Sequence, residues 1–189
     1  MGRLLAVSDV AAKAGHPDRP FDLEDLVDAP DDGYRYEVID GALVVNPAPT
    51  WRHQDKAGGL LVALRGACPS HLIVLTAPAW RIVAGQVPEP DLVVVDRPKL
   101  GEIAVEGTPE LVVEVLSPSN RGSDLVRKRD LYAQAGCPRY WIVDPEGPSL
   151  IVFSLDRKEG AYKTEVEVTA PAVVEVDRPF PVSVRLADL

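Results

Sequence analysis

The chain has 189 residues with 46% apolar content, enough to bury a core of its own within one domain. Twenty-nine acids against 20 bases give a net charge of −9, which argues against a protein that coats nucleic acid through bulk positive charge. No apolar stretch approaches the roughly 18 residues of a membrane span, the first twenty residues lack a secretory pattern, and Cys68 and Cys137 have neither paired spacing nor a zinc-binding neighbour; the expectation is a cytoplasmic chain with no membrane association.

Residues 1–20 read as an N-terminal arm and residues 21–189 as a single domain. A short acidic helix over 21–28 ends at the Ala-Pro-Asp-Asp-Gly turn. Strands over 34–39 and 42–46 flank Asp40-Gly41, a pair that suits a tight two-residue hairpin turn. Pro47-Ala48-Pro49 breaks the chain, and Thr50 caps a helix running to about residue 65. Strands follow over 72–76, 79–83 and 91–95. The strand over 111–116 leads into a helix over 123–135, stopped by Gly136 and Pro138, and then into a strand over 139–143. Strand, helix and strand at this spacing imply a right-handed crossover between parallel strands. Alternating segments at 149–155, 162–168 and 173–176 predict a C-terminal antiparallel extension. The fold class is α/β, with a mixed sheet flanked by helices.

One residue is out of place in this pattern. Along 111–116, Val112, Glu114 and Leu116 share one face and Leu111, Val113 and Val115 the other, so a carboxylate stands in a strand that is apolar on both sides. A buried carboxylate costs several kcal/mol unless a cation, a metal or hydrogen bonds compensate it. A second acid, Asp91, heads the apolar run DLVVVD upstream. On the helix over 123–135, Leu125, Leu131, Tyr132 and Ala135 form one stripe, and Asp124 and Lys128 fall inside it. Lys128 therefore has two readings: a local ion pair with Asp124 at the edge of the stripe, or a cation aimed across the crossover at Glu114. The second reading answers both anomalies at once. Two carboxylates converging from neighbouring strands beside a lysine make a hard-cation site, suited to Mg²⁺ with Mn²⁺ as a substitute. Such a site can hydrolyse a phosphodiester, the metal polarising the phosphoryl oxygen and the ammonium stabilising developing charge.

These residues carry a resemblance. The elements YEVIDGALVV (36–45), PAPTWRHQ (47–54), PEPDLVVVD (88–96), PELVVEVLSPSN (109–120) and AGCPRYWIVDP (135–145), with Asp124, Lys128 and Tyr132 between the last two, resemble the Uma-two family of the PD-(D/E)XK nuclease superfamily. The similarity runs from about residue 21 to 154, and it is the order and spacing of the pieces that is specific. It implies a restriction-endonuclease-like core with an N-terminal hairpin. It also implies a DNA endonuclease, with Asp91 and Glu114 as metal ligands and Lys128 as the third catalytic residue. Leu116 stands where the superfamily places its lysine, and Lys128 matches branches in which the lysine has moved to the following helix.

Several accessory positions carry two readings each. Glu37 is either a further acid near the metal or a hairpin surface residue. His53, beside Gln54, either binds phosphate or orients water, or else serves the helix start. Asp144, before Pro145, reads as a turn residue, and Trp141 as core. Ser117 lacks the Gly-x-Ser-x-Gly setting of a nucleophile. Two alternatives to the DNA endonuclease stand: a catalytically silent dimeric nucleic-acid-binding or interaction module, and a phosphodiesterase acting on RNA or small phosphate esters. A homodimer is expected for a protein that cuts both strands of a duplex.

Overall fold

The computed structural model describes residues 19–117, 123–147 and 149–189, with the side chains of Ser123 and Asp124 outside that description. Most of the predicted N-terminal arm therefore falls outside it. A short helix α1 (Leu23–Val27) leads to the hairpin of β1 (Arg35–Ile39) and β2 (Ala42–Asn46). The hairpin turns at Asp40-Gly41, both with positive φ (51° and 72°), as a tight turn of this kind requires. Thr50 then caps α2 (Trp51–Ala67), its Oγ1 accepting the His53 N–H at 3.3 Å.

The main sheet has the spatial order β3 (Leu72–Thr76), β4 (Leu92–Asp96), β5 (Leu111–Val115), β6 (Arg139–Asp144), β7 (Ser149–Asp156), β8 (Ala161–Thr169). Its neighbours are antiparallel except β5 and β6, which run parallel because α3 (Ser123–Gln134) crosses between them. Apolar side chains fill both faces of this sheet. Leu111, Val113 and Val115 pack with Leu60 and Leu64 of α2 on one face, while Val112 lies with Tyr132 of α3, Tyr140 and Phe153 on the other. β5 is the doubly covered strand that its sequence predicts.

Two predicted features differ from the structure. Residues 79–83 form no strand; Trp80 and Val83 make only isolated bridges, since Pro78 withholds a donor and Gly85 turns the chain at φ 77°. The C-terminal extension divides. β7 and β8 continue the main sheet, whereas β9 (Val173–Val176) pairs with β10 (Val182–Arg185), a strand hidden in the sequence between Pro181 and charged residues. This hairpin leaves the sheet to cover α2, with Val174, Val182 and Val184 in the same core as Leu60 and Leu64. Among the described residues no helix is long and apolar enough to cross a membrane.

Candidate active site

The two acids meet because of strand register. Antiparallel pairing of β4 with β5 sets Leu92 against Val113, so one further step would place Asp91 opposite Glu114. The ladder stops there, after Pro88-Glu89-Pro90. In its place the side chain of Asp91 takes over, Oδ2 accepting the Val115 N–H at 2.8 Å. Both carboxylates are buried, Asp91 at 4% exposure and Glu114 at 2%.

Each acid has basic partners. Arg35 from β1 donates to Asp91 Oδ1 at 2.7 Å, and His53 Nε2 lies 3.0 Å from Oδ2. Burial opposes ionisation of Asp91, but His53 and Arg35 outweigh it and hold the carboxyl below its usual range. Lys128 Nζ lies 3.3 Å from Glu114 Oε1 and 2.8 Å from Glu37 Oε1. The Tyr132 hydroxyl donates to Glu114 Oε1 at 2.7 Å. Even so, burial pushes Glu114 up to about 7, Lys128 pulling it down while Asp91 and Glu37 push it up. Burial likewise raises Glu89 to about 7 against the pull of Arg35, whose Nε sits 3.2 Å from its Oε1.

Glu37 is fastened from three directions. Besides Lys128, it accepts the Glu89 N–H at 2.7 Å and the Asn46 amide at 2.9 Å. The hairpin is thereby tied to the sheet at the point where the two acids meet. These side chains wall a cleft of about 310 Å³, floored by Asp91, Glu114 and Lys128 and closed on one side by the 46–50 segment and His53.

The charge in this cleft does not balance. Among the described residues that line it, Glu37, Glu89, Asp91 and Glu114 are four acids, and Arg35 and Lys128 are two bases, with the His53 ring beside Asp91. Burial is the main reason that Glu89 and Glu114 are pushed up to about 7, and the neighbouring acids add to it. Among the described residues no three His, Cys, Asp or Glu side chains group tightly enough to hold an ion by themselves. A pair of carboxylates in a water-accessible cleft with surplus negative charge instead fits Mg²⁺, which takes one or two carboxylates and keeps water for its other positions.

The structure brings together most of the residues singled out in the sequence. Lys128 turns inward to Glu114, as the helix pattern of α3 predicts, while Arg127, Asp130 and Gln134 face solvent. The Asp124 side chain lies outside the described residues. Glu37 is buried (2% exposed), which removes its surface reading, and Tyr132 is an integral part of the cluster. His53 stands at the helix start, its backbone N–H donating to Thr50, and its ring meets Asp91, a contact that the sequence reading did not include. Gln54 is exposed, its amide 3.5 Å from the Pro49 carbonyl and outside the cleft wall, because one helical step from His53 turns it about 100° away. Asp144 Oδ1 accepts the Glu146 N–H at 2.9 Å, the turn role expected, and Trp141 is fully buried.

Arg35, Glu89 and Asn46 belong to the cluster and were not anticipated. A signal for two of them was present: Arg35 lies two residues before Glu37, and Glu89 two before Asp91, the spacing that puts extended residues on one face.

Known proteins resemble this chain in sequence and in fold. The sequence profile of Uma2, described as "Putative restriction endonuclease", matches residues 23–188. The chain belongs to the Uma2 family. Among solved structures, a putative nuclease belonging to DUF820 from Anabaena variabilis ATCC 29413 superposes with a TM-score of 0.68 at 18% identity, covering 89% of this chain and 97% of that one. At that identity the likeness establishes the fold, which is restriction-endonuclease-like. Among curated proteins none matches. The Uma2 assignment spans both the cleft and the C-terminal hairpin, so the β9–β10 unit lies within the family region and not beyond it.

Proposed function

We propose that this Uma2 protein is a metal-dependent endonuclease that hydrolyses phosphodiester bonds of DNA, with Asp91, Glu114 and Lys128 at its centre. The observation that carries the reading is the convergence of three buried acids, Glu37, Asp91 and Glu114, in one cleft beside a buried lysine. Asp91 and Glu114 would hold Mg²⁺, or Mn²⁺ in its place. When bound, the ion supplies Lewis-acid polarisation of the phosphoryl oxygen and activation of water. The chain's own residues do the rest. Arg35 and His53 fix the orientation of Asp91, and Tyr132 fixes that of Glu114, so neither carboxylate has to reorganise. Lys128 offers a buried amine at the cleft floor, where the attraction of its ammonium form for the charge developing on a phosphate is stronger than in water.

Metal binding and cleavage test the reading separately. Titration with Mg²⁺ should give binding heat with the wild-type chain and none with Asp91→Asn. Supercoiled DNA should be nicked with Mg²⁺ or Mn²⁺, and Lys128→Ala should reduce the rate by at least about 100-fold, in the range of a lost charge-stabilising group. The absence of both heat and cleavage in folded wild-type protein overturns it.

One observation favours a second reading, a silent binding module of the same fold. Both oxygens of Asp91 are already bonded within the chain, so the cluster also closes as an internal ion-pair network. A network of that kind gives no heat with Mg²⁺, and the same titration separates the two. A two-fold dimer would present two such clefts to the two strands of a duplex, and sedimentation at several concentrations tests that part.

A further inference from the structure

The cleft's own charge poses a problem for a nuclease that acts on DNA. Phosphate contacts normally dominate affinity through lysine and arginine. Here Arg35 and Lys128, the arginine and lysine among the described residues of the cleft, are engaged by carboxylates, and the whole chain carries −9. A duplex, with one negative charge per about 1.7 Å of axis, is the form of DNA that such a surface repels most. Affinity must have another source.

Trp51 provides one. It is the first residue of α2 and is 69% exposed, whereas the other two tryptophans, Trp80 and Trp141, are buried at 1% and 0%. The Arg52 guanidinium lies over the indole, 4.7 Å from the ring centroid, so an aromatic face and a cation occupy one spot. The spot adjoins the cleft. Thr50, the residue before it and about 3.8 Å away by Cα, lines the cleft wall; His53 lines it too but lies two helical steps, about 200°, round from Trp51, and the side chains of Trp51 and Arg52 stand outside the wall. The buried Nδ1 of that His53 has no hydrogen-bond partner among the described residues. An exposed indole beside a cation and a cleft is the combination with which proteins bind single strands, where the base stacks on the ring whatever its identity.

We infer that Trp51 is a stacking platform for an unpaired nucleobase, and that the preferred substrate is single-stranded or locally unpaired DNA whose phosphate enters the cleft. The inference rests on the nuclease reading and narrows its substrate class. Stacking supplies the affinity that the acidic surface withholds. A single strand, with lower charge density and exposed base faces, meets both conditions.

Intrinsic fluorescence makes the test direct, because Trp51 is the exposed indole. The full chain is titrated in Mg²⁺ with a short oligothymidine, with an abasic oligonucleotide of the same length, and with a matched duplex. The oligothymidine should quench the emission and bind about 5- to 150-fold more tightly than the abasic strand, the worth of one stacked base. Trp51→Ala, followed by anisotropy of a labelled strand, should lose a similar factor, and Trp51→Phe should recover most of it. Equal binding of the base-bearing and abasic strands, tighter binding of the duplex, or unchanged affinity in Trp51→Ala each overturns the inference. So does quenching that grows with protein concentration in the absence of DNA, which would place the indole in a contact between copies. Cleavage is scored on the same strands: intact stacking without hydrolysis removes the nuclease reading alone, and hydrolysis of single strands at an unchanged KM in Trp51→Ala removes the stacking platform alone.

Discussion

The two faces of β5 stand one residue apart and obey different rules. Val113, on the α2 face, is fully buried among leucines and valines, held by burial and packing alone. Glu114, on the α3 face, is just as deeply buried, yet it is surrounded by Lys128, Tyr132, Asp91 and Glu37. The same strand therefore supplies a structural face and a chemical face, and what separates them is the helix that lies across each. α2 sends Leu60 and Leu64 to the sheet; α3 sends Tyr132 and Lys128. The lesson is that a carboxylate at the centre of a sheet is tolerable only where the covering helix brings its partner.

Exchanging the rules should break the protein. Val113→Glu would place a carboxylate among apolar side chains with no cation in reach, at a cost of about 5 kcal/mol or more. The expected outcome is loss of the cooperative thermal transition by circular dichroism. A soluble variant melting near the wild-type temperature would show that the α2 face tolerates charge and that the comparison is wrong.

Removing the partner from the chemical face should cost somewhat less. Lys128→Met leaves Glu114 and Glu37 without their shared cation, an expected loss of about 3 kcal/mol in denaturant unfolding. Adding Glu114→Gln removes part of the stranded charge and should restore a third or more of the loss, a coupling that a double-mutant cycle measures. Additive effects would place Lys128 and Glu114 out of contact.

The smallest effect is on pH dependence, and its sign follows from the raised carboxyl. Glu114 titrates at about 7 in the fold against an ordinary 4.5, so the folded chain holds its proton more tightly than the unfolded one. Its contribution is complete below pH 4.5 and is lost as pH rises toward 7. Asp91 acts oppositely, its contribution present above its ordinary value of 3.8 and lost as pH falls through its lowered one. The melting temperature should therefore fall between pH 5 and pH 7.5, with the slope flattened in Glu114→Gln. A flat or rising profile in the wild type would mean that Glu114 is not desolvated.

Much of the cluster could be read before the fold was known, for identifiable reasons. Glu114 announced itself by interrupting an apolar strand, and Lys128 by falling inside an apolar helical stripe; both are violations of a local period, visible in a dozen residues. Arg35 and Asn46 violated nothing. They sit in a hairpin that can face water on one side, where polar residues are ordinary, and only docking of that hairpin onto the sheet through Glu37 gives them a role. The course of the chain after β8 was obscure for a related reason. Alternation predicts strands, but nothing in alternation says which sheet a strand joins, and β9 and β10 left the main sheet to cover α2.

The sequence by itself determined the doubly covered strand, the crossover helix and the face on which each ionisable residue of these elements lies, because side-chain direction follows from position along a strand or helix. Tertiary structure alone decided which charges meet. The β4–β5 register set Asp91 beside Glu114, the hairpin added Arg35 and Glu37, and α2 added His53. Hydrogen bonds and ion-pair contacts act over a few ångströms, so pairing among residues as distant in sequence as Arg35 and Asp91 exists only once packing has closed those distances.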